Sequence, residues 1–130
     1  MQERKLMEMV EAAGTIAIAG HVRPDGDCVG SCLAVCNYIT EQYPEKTVDV
    51  YLETPPVKFS YLKQFERISS DSNTGKQYEL CICLDSGDRE RLGNNVVYLD
   101  TAKTSICIDH HITNKGYAAS NFVNASASAT

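Results

Sequence analysis

Three short apolar runs constrain this chain most: TIAIA (Thr15–Ala19), ELCICL (Glu79–Leu84) and SICI (Ser105–Ile108). They are too short for core-burying helices and read as strands, with ELCICL nearly continuous enough to be buried on both faces of a sheet. All three stop on polar residues. TIAIA is followed by Gly20 and His21, ELCICL by Asp85, and SICI by Asp109, His110 and His111. A hydrophobic core explains the apolar runs but not an acid and two imidazoles at a strand end.

The segments between them have helical signatures. Leu6, Val10 and Ala13 give Glu3–Ala13 the spacing of a helix, stopped by Gly14. Val29–Tyr43 is a second helix, ended by Pro44. Val48–Glu53 alternates like a strand and is closed off by Pro55 and Pro56. A short helix is expected over Phe59–Phe65, a loop over Ile68–Gln77, a helical stretch near Val96–Ala102 and a last strand at Asn121–Val123. Strands alternating with helices predict an α/β domain with three layers, a mostly parallel sheet flanked by helices. At 130 residues one domain is expected. The closing NASASAT reads like the capping approach to a helix, yet the sequence stops at Thr130, so a truncated domain is expected.

The net charge of -5 weighs against broad binding to a nucleic-acid backbone. It does not exclude a small anionic substrate, because bound cations invert the local field. MQERKLMEMVEAAG has no signal-peptide core and no segment is long enough to span a bilayer, so a cytoplasmic protein with no membrane partner is expected. Of the six cysteines, Cys28, Cys32 and Cys36 recur on one helix face, Cys81 and Cys83 alternate along a strand, and Cys107 lies in SICI. That spacing, without a C-x-x-C pair, predicts reduced, buried thiols and no redox module.

In open parallel sheets ligands bind outside the carboxyl ends of the strands. The sets expected to meet there are His21 with Asp25 and Asp27, then Asp85, then Asp109 with His110 and His111. Asp25, Asp27 and Asp85 taken singly also suit a turn or helix cap. Carboxylates mixed with imidazoles, and no thiolate, suit Mn²⁺, with Mg²⁺, Co²⁺ or Zn²⁺ as alternatives. More donors gather than one ion needs. Two ions about 3.5–4 Å apart, bridged by a carboxylate, would make hydroxide from water and clamp phosphorus oxygens, which favours phosphoester hydrolysis. A helix opening near Val29 to Ser31 offers backbone N–H groups to an anion. Arg89 and Arg91 suit a substrate phosphate or, equally, a solvated salt-bridged face.

HVRPDGDCVGS, CLDSGDRERLG and IDHHITN resemble the first three motifs of the DHH phosphoesterases, and NASASAT resembles the segment leading into their next helix. SGDRERLG and IDHHITN are most similar to the nanoRNase type, which degrades short oligoribonucleotides and converts 3′-phosphoadenosine 5′-phosphate (pAp) to AMP. The resemblance implies that His21 and Asp25 hold one metal, Asp27 and His110 the second, and that Asp85 bridges both. It places His111 against the scissile phosphate or its leaving oxygen and gives Asp109 an orienting role. Ser31 and Arg91 are the other expected substrate contacts. Residues 1–130 would be the N-terminal domain, lacking a fourth aspartate motif and the C-terminal substrate-binding domain. Such a fragment is expected to be weak or inactive alone, the full-length protein being compatible with a homodimer. Alternatives are a family II inorganic pyrophosphatase, a cyclic-dinucleotide phosphodiesterase and, in a different class, a non-catalytic α/β binding module.

Overall fold

The alternation of apolar runs and helices resolves into a single six-stranded sheet. The computed structural model describes residues 2–84, 89–109 and 120–123. Its elements are α1 (Gln2–Ala12), β1 (Thr15–Ala19), α2 (Gly26–Gln42), β2 (Thr47–Tyr51), β3 (Ile68–Ser69), β4 (Leu80–Leu84), α3 (Val96–Thr101), β5 (Thr104–Asp109) and β6 (Ser120–Val123). The strand order is β3-β2-β1-β4-β5-β6, and each neighbouring pair is parallel. The chain winds outward from β1 to β3, then returns to β1's other side with β4. This reversal makes the β1/β4 boundary a topological switch point, the place where such sheets leave a crevice.

The two faces of the sheet bury different side chains. Ile16, Ile18, Val48, Val50, Leu80, Ile82 and Ile106 pack with Val29, Leu33 and Ile39 of α2 and Val10 of α1. The opposite face carries small residues in the centre, Ala17, Ala19, Cys81 and Cys83, which leave room for three tyrosines. Tyr98 of α3 stacks on Tyr51 of β2 at 3.8 Å between ring centroids, and Tyr78 meets both edge-on. Buried phenols need hydrogen-bond partners. Tyr78 donates to Asp49 Oδ2 at 2.6 Å, and Tyr98 donates to the Asp71 carbonyl at 2.6 Å. Burial and its bond to Asp49 push the Tyr78 hydroxyl far above the usual tyrosine range, so it remains a donor. All six cysteines are free and buried, as their spacing predicts.

Element ends follow local chemistry. Lys46 Nζ donates to the Glu11 and Ala13 carbonyls, at 3.0 and 2.6 Å, at the end of α1. Three expectations need correction. Phe59–Phe65 is not a helix: two short 3₁₀ turns, Val57–Phe59 and Phe65–Arg67, flank it. A side-chain pattern with aromatics at both ends cannot distinguish one helix from two turns facing the same core. Ile68 and Ser69, expected in a loop, pair with Val50 and Tyr51 as the edge strand β3, a contact made only through tertiary structure. Helix α2 starts at Gly26, a turn earlier than Val29, because Asp25 caps it there. Among the described residues, no helix is long and apolar enough to cross a membrane.

Candidate functional site

The C-terminal ends of β1, β4 and β5 lie side by side, with β4 in the middle. Register aligns them: Ala19 stands opposite Cys83, and Cys83 opposite Cys107. Two positions along the chain beyond each member of that row come His21, Asp85 and Asp109. The polar residues that begin the three sets thus follow three adjacent strand ends at the same step along the sequence.

At the end of β1, Gly20 passes directly beneath α2. A Cβ there would collide with Cys28 Sγ and Leu52 Cδ2, so glycine alone permits this approach. His21 follows, 3% exposed. Its Nδ1 lies 2.6 Å from the Val22 carbonyl oxygen, which can only accept. In the neutral ring Nδ1 therefore carries the proton and Nε2 the lone pair, the tautomer of a metal-ligating histidine. Nε2 is 3.8 Å from Asp25 Oδ1. That same oxygen accepts the Cys28 N–H at 2.9 Å, so Asp25 is the N-cap of α2.

Capping moves the start of the helix. Val29 N–H already returns to the Asp25 carbonyl at 2.9 Å, so unbonded N–H groups belong to the turn before it. Ser31 lies in the second turn, half-buried, away from those groups. Cys28 has its thiol pKa lowered to about 6, first by its hydrogen bond with Cys32 and then by His21, against burial, which raises it.

Neighbouring loops hold the one that follows β1. Val22 N–H donates to the Arg91 carbonyl at 2.6 Å. Gly93 adopts φ 60° beside Val22, where a Cβ would strike Val22 Cγ1. Arg23 N–H donates to Glu53 Oε1 at 3.0 Å, from a left-handed backbone with φ 52°. Between these loops opens a pocket of about 600 Å³, lined by His21, Val22, Arg23, Asp25, Glu53 and Arg91.

Of the expected metal ligands, the His21 and Asp25 side chains are brought together. Asp85, His110 and His111 lie outside the described residues, and Asp27 and Asp109 are described only as backbone positions in α2 and β5. Among the described residues, no three His, Cys, Asp or Glu side chains gather as a metal cage. The fit to a divalent ion rests on donor chemistry: an imidazole presenting Nε2 and a carboxylate within reach of it suit Mn²⁺, Mg²⁺, Co²⁺ or Zn²⁺. Arg91 lines the pocket, and Ser31 lies outside its lining. Arg23 and Glu53 were not legible as pocket residues from spacing. The available signal was positional: Arg23 lies inside HVRPDGDCVGS, and Glu53 follows β2, the strand beside β1.

The description "DHH family, N-terminal domain" matches residues 15–130. A Streptococcus mutans protein named "Probable bifunctional oligoribonuclease and PAP phosphatase NrnA" is 32% identical over 127 residues, spanning 96% of this chain and 38% of that protein. The Bacillus subtilis "Bifunctional oligoribonuclease and PAP phosphatase NrnA" is 31% identical over 124 residues, spanning 95% and 38% respectively. This chain thus spans about 38% of the length of these curated relatives. An exopolyphosphatase-related protein from Bacteroides fragilis superposes with a TM-score of 0.89 at 21% identity, covering 99% of this chain and 41% of that one. At that identity the likeness shows the shared α/β fold. With the motif-bearing ends of β1, β4 and β5 adjacent in such a sheet and the family match running from Thr15 to Thr130, the chain belongs to the DHH family, as its N-terminal domain.

Proposed function

We propose that this domain carries the metal-binding half of a phosphoesterase that hydrolyses short oligoribonucleotides and removes the 3′-phosphate of pAp. The observation that carries the reading is the alignment of β1, β4 and β5, from which His21, Asp85 and Asp109 follow at equal steps. The names of the relatives supply the substrate class.

In this reading His21, Asp25, Asp27, Asp85 and His110 would hold the divalent ions. When bound, such ions would supply charge neutralisation at the phosphoryl oxygens and a nucleophilic water at neutral pH. The chain's residues do the positioning. The Val22 carbonyl fixes the His21 tautomer, and the α2 cap fixes the Asp25 carboxylate. His111 takes the scissile phosphate or its leaving 3′-oxygen, Asp109 orients the histidines, and Arg91 with Ser31 contacts the substrate. Water adds to phosphorus, the bond to the 3′-oxygen breaks, and that oxygen leaves with a proton. Mn²⁺ is the first metal to test.

The test compares, in a full-length protein carrying this domain, Mn²⁺-dependent phosphate release from pAp, shortening of labelled di- to tetraribonucleotides, and hydrolysis of pyrophosphate. Turnover of pAp and short RNA, lost in Asp85→Asn, is expected. Preference for pyrophosphate, or activity indifferent to Asp85→Asn, would replace this reading with a pyrophosphatase or with a binding module.

A further inference from the structure

The pocket beside His21 is far larger than one phosphate group, and it carries two arginines on separate loops. Arg91 comes from the segment after β4, and Arg23 from the loop after β1. Arg23 also holds an unusual backbone. A residue preceding proline prefers extended conformations, yet Arg23, before Pro24, sits at φ 52°. Such a conformation in a non-glycine residue persists only where surroundings enforce it, and it concentrates at ligand-binding sites.

The enforcing contact is specific. The exposed Glu53 carboxylate, just beyond β2, accepts the Arg23 N–H at 3.0 Å, a charge-assisted bond. The adjacent Val22 N–H is tied to the Arg91 carbonyl at 2.6 Å. One loop is thus clamped from both sides, by the segments after β2 and β4, with its arginine in the pocket lining. Among the described residues, no ion pair engages the Arg23 guanidinium.

We propose that Arg23 is a specificity-determining residue that takes the non-scissile phosphate of the substrate, and that Glu53 is its positioning residue. This rests on the phosphoesterase reading above. The scissile phosphate must lie near His21 and Asp25, so a second phosphate, separated from it by the sugar, falls to the pocket's other cationic wall. Glu53, an acid in an anion site, serves through its bond to the Arg23 backbone and not by touching substrate.

The test measures kcat/KM for phosphate release in Mn²⁺ from pAp and from adenosine 3′-monophosphate, which lacks the second phosphate, in a full-length protein carrying this domain. The wild-type protein is expected to favour pAp by about tenfold or more, the scale of one charge-assisted contact. In Arg23→Ala that preference collapses toward one. Glu53→Gln retains an acceptor oxygen and retains the preference, whereas Glu53→Ala loses it with an unchanged melting temperature. Preference surviving in Arg23→Ala overturns the assignment and leaves the phosphoesterase reading intact. Loss in Glu53→Gln as complete as in Glu53→Ala overturns the positioning role. A full-length protein carrying this domain that hydrolyses neither nucleotide overturns both this inference and the reading beneath it.

Discussion

Gly20 separates the last strand residue of β1 from His21, and its missing side chain is what lets α2 close over that strand end. A methyl group at this position meets Cys28 Sγ and Leu52 Cδ2, both buried and unable to retreat without moving α2 or β2. Gly20→Ala should therefore cost about 1–3 kcal/mol, as overpacking of a tight core does. A lowered urea midpoint with an unchanged slope would report it. An unchanged midpoint would mean that the helix rides over the strand with room to spare. At this scale the sequence was partly legible. Strand-end histidines and aspartates announced themselves because a core has no use for them. Arg23 and Glu53 did not, because their significance lies in a left-handed backbone and in a bond spanning thirty residues of chain.

Helix α2 shows how one residue serves an element and a site together. Asp25 accepts the Cys28 N–H and, through the same oxygen, faces His21 Nε2. The two roles separate by substitution. Asp25→Ala removes cap and charge and should destabilise the fold by about 0.5–2 kcal/mol. Asparagine caps as well as aspartate, so Asp25→Asn should stay within about 0.3 kcal/mol of wild type. If Asp25 ligates metal, both variants bind Mn²⁺ more weakly; if it only caps, Asp25→Asn binds as the wild type does. Thermal melts and metal titrations of the pair decide between these outcomes. Periodicity revealed α2 but misplaced its start, because Gly26 and Gly30 are poor helix formers and only the cap makes Gly26 helical. The edge strand β3 was invisible for a related reason. Two residues carry no periodicity, and their strand character is conferred by pairing with β2.

For the whole molecule, alternation of strands and helices predicts a parallel sheet, but not which strands are neighbours. That order decides whether three separated motifs meet, and β4 lies between β1 and β5 because the chain reverses direction across the sheet after β3. The consequence is thermodynamic as well as geometric. The residues expected to hold metal lie about the ends of β1, β4 and β5, at Ala19, Leu84 and Asp109, which are 65 and 25 positions apart along the chain. An unfolded chain brings all of them together only at a cost in loop-closure entropy, so metal that binds the full set favours the folded sheet. Mn²⁺ at about 100 times its dissociation constant should then stabilise the domain by about 2.7 kcal/mol, reversed by a chelator. The same addition should raise the melting temperature far less in His21→Ala, whose ring supplies the buried nitrogen, and in Asp85→Asn. A melting temperature indifferent to Mn²⁺, or an equal rise in all three proteins, would mean that the metal finds no site linking the strand ends. The convergence of those ends would then serve the fold alone.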